Sequence, residues 1–188
     1  MFKLSKELSN YKPEEAVNLF KELLRLEAVK NGIPLTYINC SQDITCPDGG
    51  IDAVIKSMNG IRSDIIIADD VRFQIKTESG SKPWNKSTIV NELFGCNIEE
   101  IDKLTRDPPK RTHEIKNKLK PAIRDCLDNE AAYVYVTFKH TFVEKDRIAA
   151  INFLKEYFNQ CGYSNCKVHV WGYEHINSVM KKIIHAYC

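Results

Sequence analysis

The chain has 188 residues, 43% hydrophobic and 28% charged, enough for one domain with a full core and too few for two. Its 27 Lys and Arg against 25 Asp and Glu leave a net charge of +2, which excludes a uniformly basic surface and confines any nucleic-acid contact to a local patch. No apolar run approaches the roughly 18–20 residues of a membrane span, and MFKLSKELSNYKPEEA lacks the core of a secretory signal, so a cytoplasmic protein is expected.

The stretch PEEAVNLFKELLRLEAVK predicts a first helix over 13–30. Pro13 lies in its first turn, and Glu14 and Glu15 suit the positive end of the dipole. Ala16, Leu19, Phe20, Leu23, Leu24 and Leu26 gather on one side of it. Asn31-Gly32 and Pro34 end the helix. LTYINC reads as a strand, and SQDITCPDGG as a turn-rich connection around a short extended piece. IDAVIKS, DIIIADD and VRFQIKTE read as three further apolar strands, a β-meander against the helix.

Beyond Ser81 the chain is more polar. SKPWNKSTIVNELFG predicts a short helix, LTRDPPKRTHEIKNK an exposed loop and LKPAIRDCLDN another short helix. AAYVYVTFK is a strand rich in β-branched and aromatic residues, and VEKDRIAAINFLKEYFNQCG an amphipathic helix ended by glycine. CKVHVWG predicts a last strand and YEHINSVMKKIIHAY a last helix. The order implies an α/β domain with helices on both faces of a central sheet, over 1–188 without an internal linker.

Two segments carry chemistry. In PDGGID, paired glycines relax the backbone and leave Asp52 at the mouth of an apolar strand. In FQIK, the two-residue alternation of a strand puts Gln74 and Lys76 on one face, with Phe73 and Ile75 turned toward the helix. On neighbouring strands these groups converge at one end of the sheet. The Asp52 carboxylate, the Gln74 amide oxygen and the Ile75 carbonyl form a hard-oxygen set suited to Mg²⁺ or Mn²⁺. The Lys76 ammonium beside them suits orienting or deprotonating a water for attack on a phosphodiester. Glu27 projects into the apolar arc of the first helix, where a carboxylate needs a cation or metal partner unless the last turn frays; Glu22 is next in line.

This combination resembles the PD-(D/E)xK nuclease superfamily, and DGGID followed by Q-x-K is similar to its Mrr-like branch, in which Gln replaces an acidic residue. LLRLEAVKNGIP, PDGGIDAVI, FQIKTESGSKPWNKS, LKPAIRDCLDN and KVHVW extend the likeness to the N-terminal nuclease effector domain of antiphage STAND NTPases of the Avs type. The resemblance implies a restriction-endonuclease-like mixed sheet and an Mg²⁺- or Mn²⁺-dependent endonuclease acting on double-stranded DNA as a defence effector. It casts Asp52 as metal-binding Asp, Gln74 as substituted ligand, Lys76 as catalytic lysine and Glu27 as helix carboxylate. It also implies a homo-oligomer when active and a fused or associated NTPase or sensor region, with this chain as its N-terminal part.

Other candidates surround this core. Lys82, Trp84 and Lys86 in KPWNK interleave cations with an aromatic, as a phosphate backbone and an unstacked base require, although Trp84 suits packing on a helix equally. Asp48 suits the turn and Glu78 a solvated strand end or a partner for Lys76. Lys110, Arg111, Lys116, Lys118 and Lys120 read as a solvated face or a DNA grip. Seven scattered cysteines without a CxxC read as reduced thiols, and Cys161, Cys166 and His169 lack a fourth zinc ligand. No Walker A motif or dinucleotide fingerprint is present, so nucleotide hydrolysis is not expected of this chain. The alternative to a nuclease is a catalytically inactive nuclease-fold module for nucleic-acid binding or assembly scaffolding.

Overall fold

The computed structural model describes residues 10–40, 49–57, 60–78, 83–106 and 108–187. Helix α1, Pro13–Lys30, starts where the Lys12 N–H donates to the Glu15 carboxylate at 2.8 Å. A single 3-10 turn, Leu35–Tyr37, leads into β1, Ile38–Cys40, so the strand predicted over LTYINC occupies only its second half. Strands β2, Ala53–Lys56, and β3, Asp70–Lys76, complete an antiparallel meander. Four helices then cross over to β4: α2, Lys86–Leu93, α3, Ile98–Thr105, α4, Pro108–Lys118, and α5, Pro121–Asp128. Strand β4, Ala132–Thr137, runs parallel to β3; α6, Glu144–Gln160, returns the chain to β5, Lys167–Trp171, parallel to β4. Helix α7, Tyr173–Tyr187, follows. The mixed sheet has the order β1-β2-β3-β4-β5, in the α/β architecture predicted from the sequence.

The sheet separates two apolar layers. Val71, Phe73 and Ile75 of β3 and Val134 and Val136 of β4 pack beneath α1 and α7, with the Phe20 and Phe73 rings edge to face at 4.9 Å. Tyr133, Tyr135, Val168 and Val170 pack beneath α2–α6. Two predicted elements differ. DIIIADD is not a strand: the chain bends through 64–69, and Ser63 Oγ accepts the N–H groups of Ile65 and Ile66 at 3.2 and 3.0 Å. That local turn competes with sheet pairing while still burying both isoleucines in the α1–α7 layer. LTRDPPKRTHEIKNK is not a loop: it holds the end of α3 and all of α4. Two prolines fit a first helical turn, where N–H groups have no partner to lose, and Ile115, nearly two turns on, is fully buried. Among the described residues, no helix is long and apolar enough to cross a membrane.

Candidate active site at the end of β3

Asp52 is delivered by a tight turn. Gly49 and Gly50 have φ of +70° and +91°, and a Cβ on Gly50 would lie 2.8 Å from Ile123 Cδ1 of α5. The turn thus requires glycine for both conformation and close approach. Past it, the Asp52 N–H donates to the Phe73 carbonyl at 2.8 Å, on the residue that already faces Ala53. Ile51 packs in the α2–α6 layer and Ala53 in the α1–α7 layer, so side-chain alternation breaks at Asp52. Its carboxylate consequently reaches along the sheet edge, where Oδ2 accepts the Ile75 N–H at 2.5 Å. Strand geometry turns the Ile75 carbonyl to that same edge.

Gln74 and Lys76 occupy the face of β3 opposite Phe73 and Ile75, beneath α2. Gln74 is fully buried. Its Oε1 accepts from the Tyr133 hydroxyl, and its Nε2 donates to Glu92 Oε2 at 3.0 Å. The same Glu92 oxygen lies 2.5 Å from Lys76 Nζ, with both side chains about four-fifths buried. Burial first, then Tyr135, Glu92, Cys126 and Asp52, pushes the Tyr133 hydroxyl well above its ordinary pKa. The phenol therefore stays protonated and donates. That fixes the Gln74 oxygen as acceptor and turns its NH₂ group toward Glu92. A continuous chain results: Tyr133 to Gln74 to Glu92 to Lys76, with Asp52 one strand position away along the edge.

The structure thus brings Asp52, Gln74, Ile75 and Lys76 to one end of the sheet, and adds Glu92. Glu27 is buried, as its place in the apolar arc predicts, but its partners are local: Asn31 Nδ2 donates to it at 3.1 Å and Lys30 Nζ lies at 3.8 Å. The last turn is intact to Lys30, so a frayed end does not take Glu27 into water. The Cys40 thiol lies on β1 opposite Ala53; burial pushes it up, and Lys21, Arg25 and Glu22 of α1 act on it electrostatically to a lesser degree. Glu22 there is half exposed and bonded to Arg25 at 2.7 Å. Glu92 was hidden in the sequence because it lies 18 residues from Gln74 on a helix of ordinary composition.

The flanking candidates divide. Asp48 and Lys82 lie outside the described residues. Trp84 is 43% exposed and sets its ring edge-on to His140 and Phe142, at 5.6 and 5.4 Å. It is both packed and presented to solvent. Lys86 pairs with Asp102 at 2.6 Å, and Glu78 is exposed while Glu92 takes Lys76. On α4, Lys116 pairs with Asp128 at 2.7 Å and Lys118 with Glu100, which tempers the charge of that run.

Neither family models, curated proteins nor solved structures give a match to this chain.

The donors at the end of β3 suit a hard divalent cation: the Asp52 and Glu92 carboxylates, the Ile75 carbonyl and the Gln74 amide oxygen, although that amide oxygen already accepts from Tyr133. Among the described residues, no three His, Cys, Asp or Glu side chains converge on one point. An ion here would accordingly draw on a backbone oxygen and on a bound phosphate as well as on carboxylates.

Proposed function

We propose that the chain is a metal-dependent endonuclease that hydrolyses phosphodiester bonds of double-stranded DNA. One observation carries this reading: Asp52, Lys76, Gln74 and Glu92 are assembled, largely buried, around the end of β3. Packing gains nothing from such a cluster, since hydrophobic residues of similar volume serve stability as well as a buried ion pair.

Asp52 presents a carboxylate at the strand edge beside the Ile75 carbonyl, the place where a scissile phosphate would approach. A bound Mg²⁺ or Mn²⁺ would supply positive charge against the phosphate oxygens. Lys76 contributes an ammonium able to donate to the attacking water or the phosphate, and Glu92 holds it in place. Gln74 and Tyr133 fix Glu92 in turn. Cutting both strands takes two such sites, so the active form is a homo-oligomer, brought together by an NTPase or sensor region. Defence against phage is the setting that the sequence resemblance favours.

The test is plasmid cleavage with Mn²⁺ or Mg²⁺ by the protein clustered on a multivalent scaffold. Nicking or linearisation is expected from the wild type and not from Asp52→Ala or Lys76→Ala. Cleavage that survives in both variants rules the assignment out. One observation favours the binding-only alternative: the Gln74 oxygen is taken by Tyr133 and Lys76 by Glu92. A protein that binds duplex DNA but never Mn²⁺ would establish it.

A further inference from the structure

We infer that Glu92 is the second acidic residue of the site, doing from α2 what strand position 74 leaves undone, and that Gln74 is its positioning residue rather than a metal ligand. This rests on the nuclease reading above. The bonding of Gln74 carries it. Both ends of the amide are committed, Oε1 to the Tyr133 hydroxyl and Nε2 to Glu92 Oε2 at 3.0 Å. A carboxylate at position 74 would set an acceptor against the Glu92 oxygen where the amide now places a donor. Glutamine at 74 and glutamate at 92 are therefore two halves of one exchange: the acid sits on the helix and its donor on the strand. The substitution that reads in the sequence as a weakened ligand supplies, in three dimensions, the donor that the Glu92 carboxylate accepts from.

Helix α2 is built to hold that carboxylate still. Asn85 caps it, its side-chain oxygen accepting the Thr88 N–H at 3.2 Å. Ile89, Val90 and Leu93 are fully buried on its inner side. At its far end, the Leu93 carbonyl accepts from the Lys120 N–H at 2.9 Å and the Lys118 carbonyl from the Gly95 N–H at 2.9 Å. Glu92 thus leaves a helix anchored at both ends, and its Oε2 meets Lys76 and Gln74 together. A glutamate held this way differs from one that merely screens an exposed lysine.

Mn²⁺ affinity, measured by calorimetry with and without a non-cleavable phosphorothioate duplex, tests the assignment apart from activity. Glu92→Gln should weaken Mn²⁺ binding by about tenfold to a hundredfold, comparably to Asp52→Asn. The exchange variant Gln74→Glu/Glu92→Gln restores one carboxylate and one amide across the same hydrogen bond, and should recover most of the lost affinity. Circular dichroism and melting temperature check that each variant folds; the exchange keeps the pair intact even where the single variant is unstable. Wild-type affinity in Glu92→Gln, or an exchange variant no better than Asp52→Asn, overturns the assignment while leaving the nuclease reading in place. A wild type that binds no Mn²⁺, alone or with duplex, removes both.

Discussion

The Asp52 carboxylate bonds to the Ile75 N–H at 2.5 Å, one residue past the last pairing of β2 with β3. A side chain thus does there what a longer strand would have done. Asp52 consequently has a structural duty beside the chemical one proposed for it, and substitutions at this position must be chosen to separate them.

Asp52→Ala leaves the Ile75 N–H without its acceptor and should cost about 1–3 kcal/mol in urea denaturation. Asp52→Asn keeps an oxygen for that N–H and removes only the charge. It should lie much nearer wild-type stability while losing cleavage. Equal destabilisation by the two substitutions would show that the carboxylate charge, and not its hydrogen bond, holds the edge.

Tyr133→Phe removes the donor to a fully buried Gln74 oxygen. A loss of about 1–3 kcal/mol is expected from the unsatisfied acceptor. Cleavage should fall too, because Gln74 is then free to turn its amide and release Glu92. Unchanged stability in chemical denaturation would contradict the hydrogen bond.

Gly50→Ala and Gly32→Ala form a controlled pair. Both positions have positive φ, +91° and +67°, but a Cβ at 50 meets Ile123 Cδ1 at 2.8 Å whereas one at 32 meets nothing within 4 Å. Gly32→Ala should cost about 1–2 kcal/mol, the conformational penalty alone. Gly50→Ala should cost more and should also displace Asp52, so only it reduces cleavage. Melting temperatures and plasmid assays on the two variants decide the matter.

Acid should destabilise the fold through its histidines. Burial pushes the imidazoles of both His169 and His175 below the ordinary value of 6.5, and the His175 ring stacks on Trp171 at 4.4 Å. The folded state keeps them neutral, whereas the unfolded chain takes up protons as pH drops below that value. Their stabilising contribution is therefore complete above it and is lost as pH falls through the depressed folded values. The urea midpoint should be lower at about pH 5.5 than at about pH 7.5, and His175→Phe should reduce that difference.

Most of the architecture was legible because the informative segments are long and one-sided. The first helix announced its apolar arc, and AAYVYVTFK could scarcely be anything but a central strand. DIIIADD misled because a burial pattern does not say whether the chain is extended: Ile65 and Ile66 are buried without joining the sheet. The helix over 108–118 was obscured by its charge, with Ile115 the one fully buried apolar side chain among its described residues. At the candidate site, FQIK foretold that Gln74 and Lys76 share one face of β3, since strand alternation is a local rule. Glu27 was rightly placed inside, and there Asn31 donates to its carboxylate and Lys30 lies near it at its own helix end. Glu92 is a matter of tertiary geometry, and no spacing rule links a helix glutamate to a strand lysine 16 residues away.

The sheet acts as a wall between two rooms. Tyr133, Gln74, Lys76 and Glu92 all belong to the α2–α6 room, while α1 and α7 furnish the other. Outward-facing positions of α7 can therefore take fluorophores, affinity handles or tethering cysteines without disturbing the polar chain at the end of β3. Attachment through that back wall leaves the contacts of Glu92 with Gln74 and Lys76 untouched.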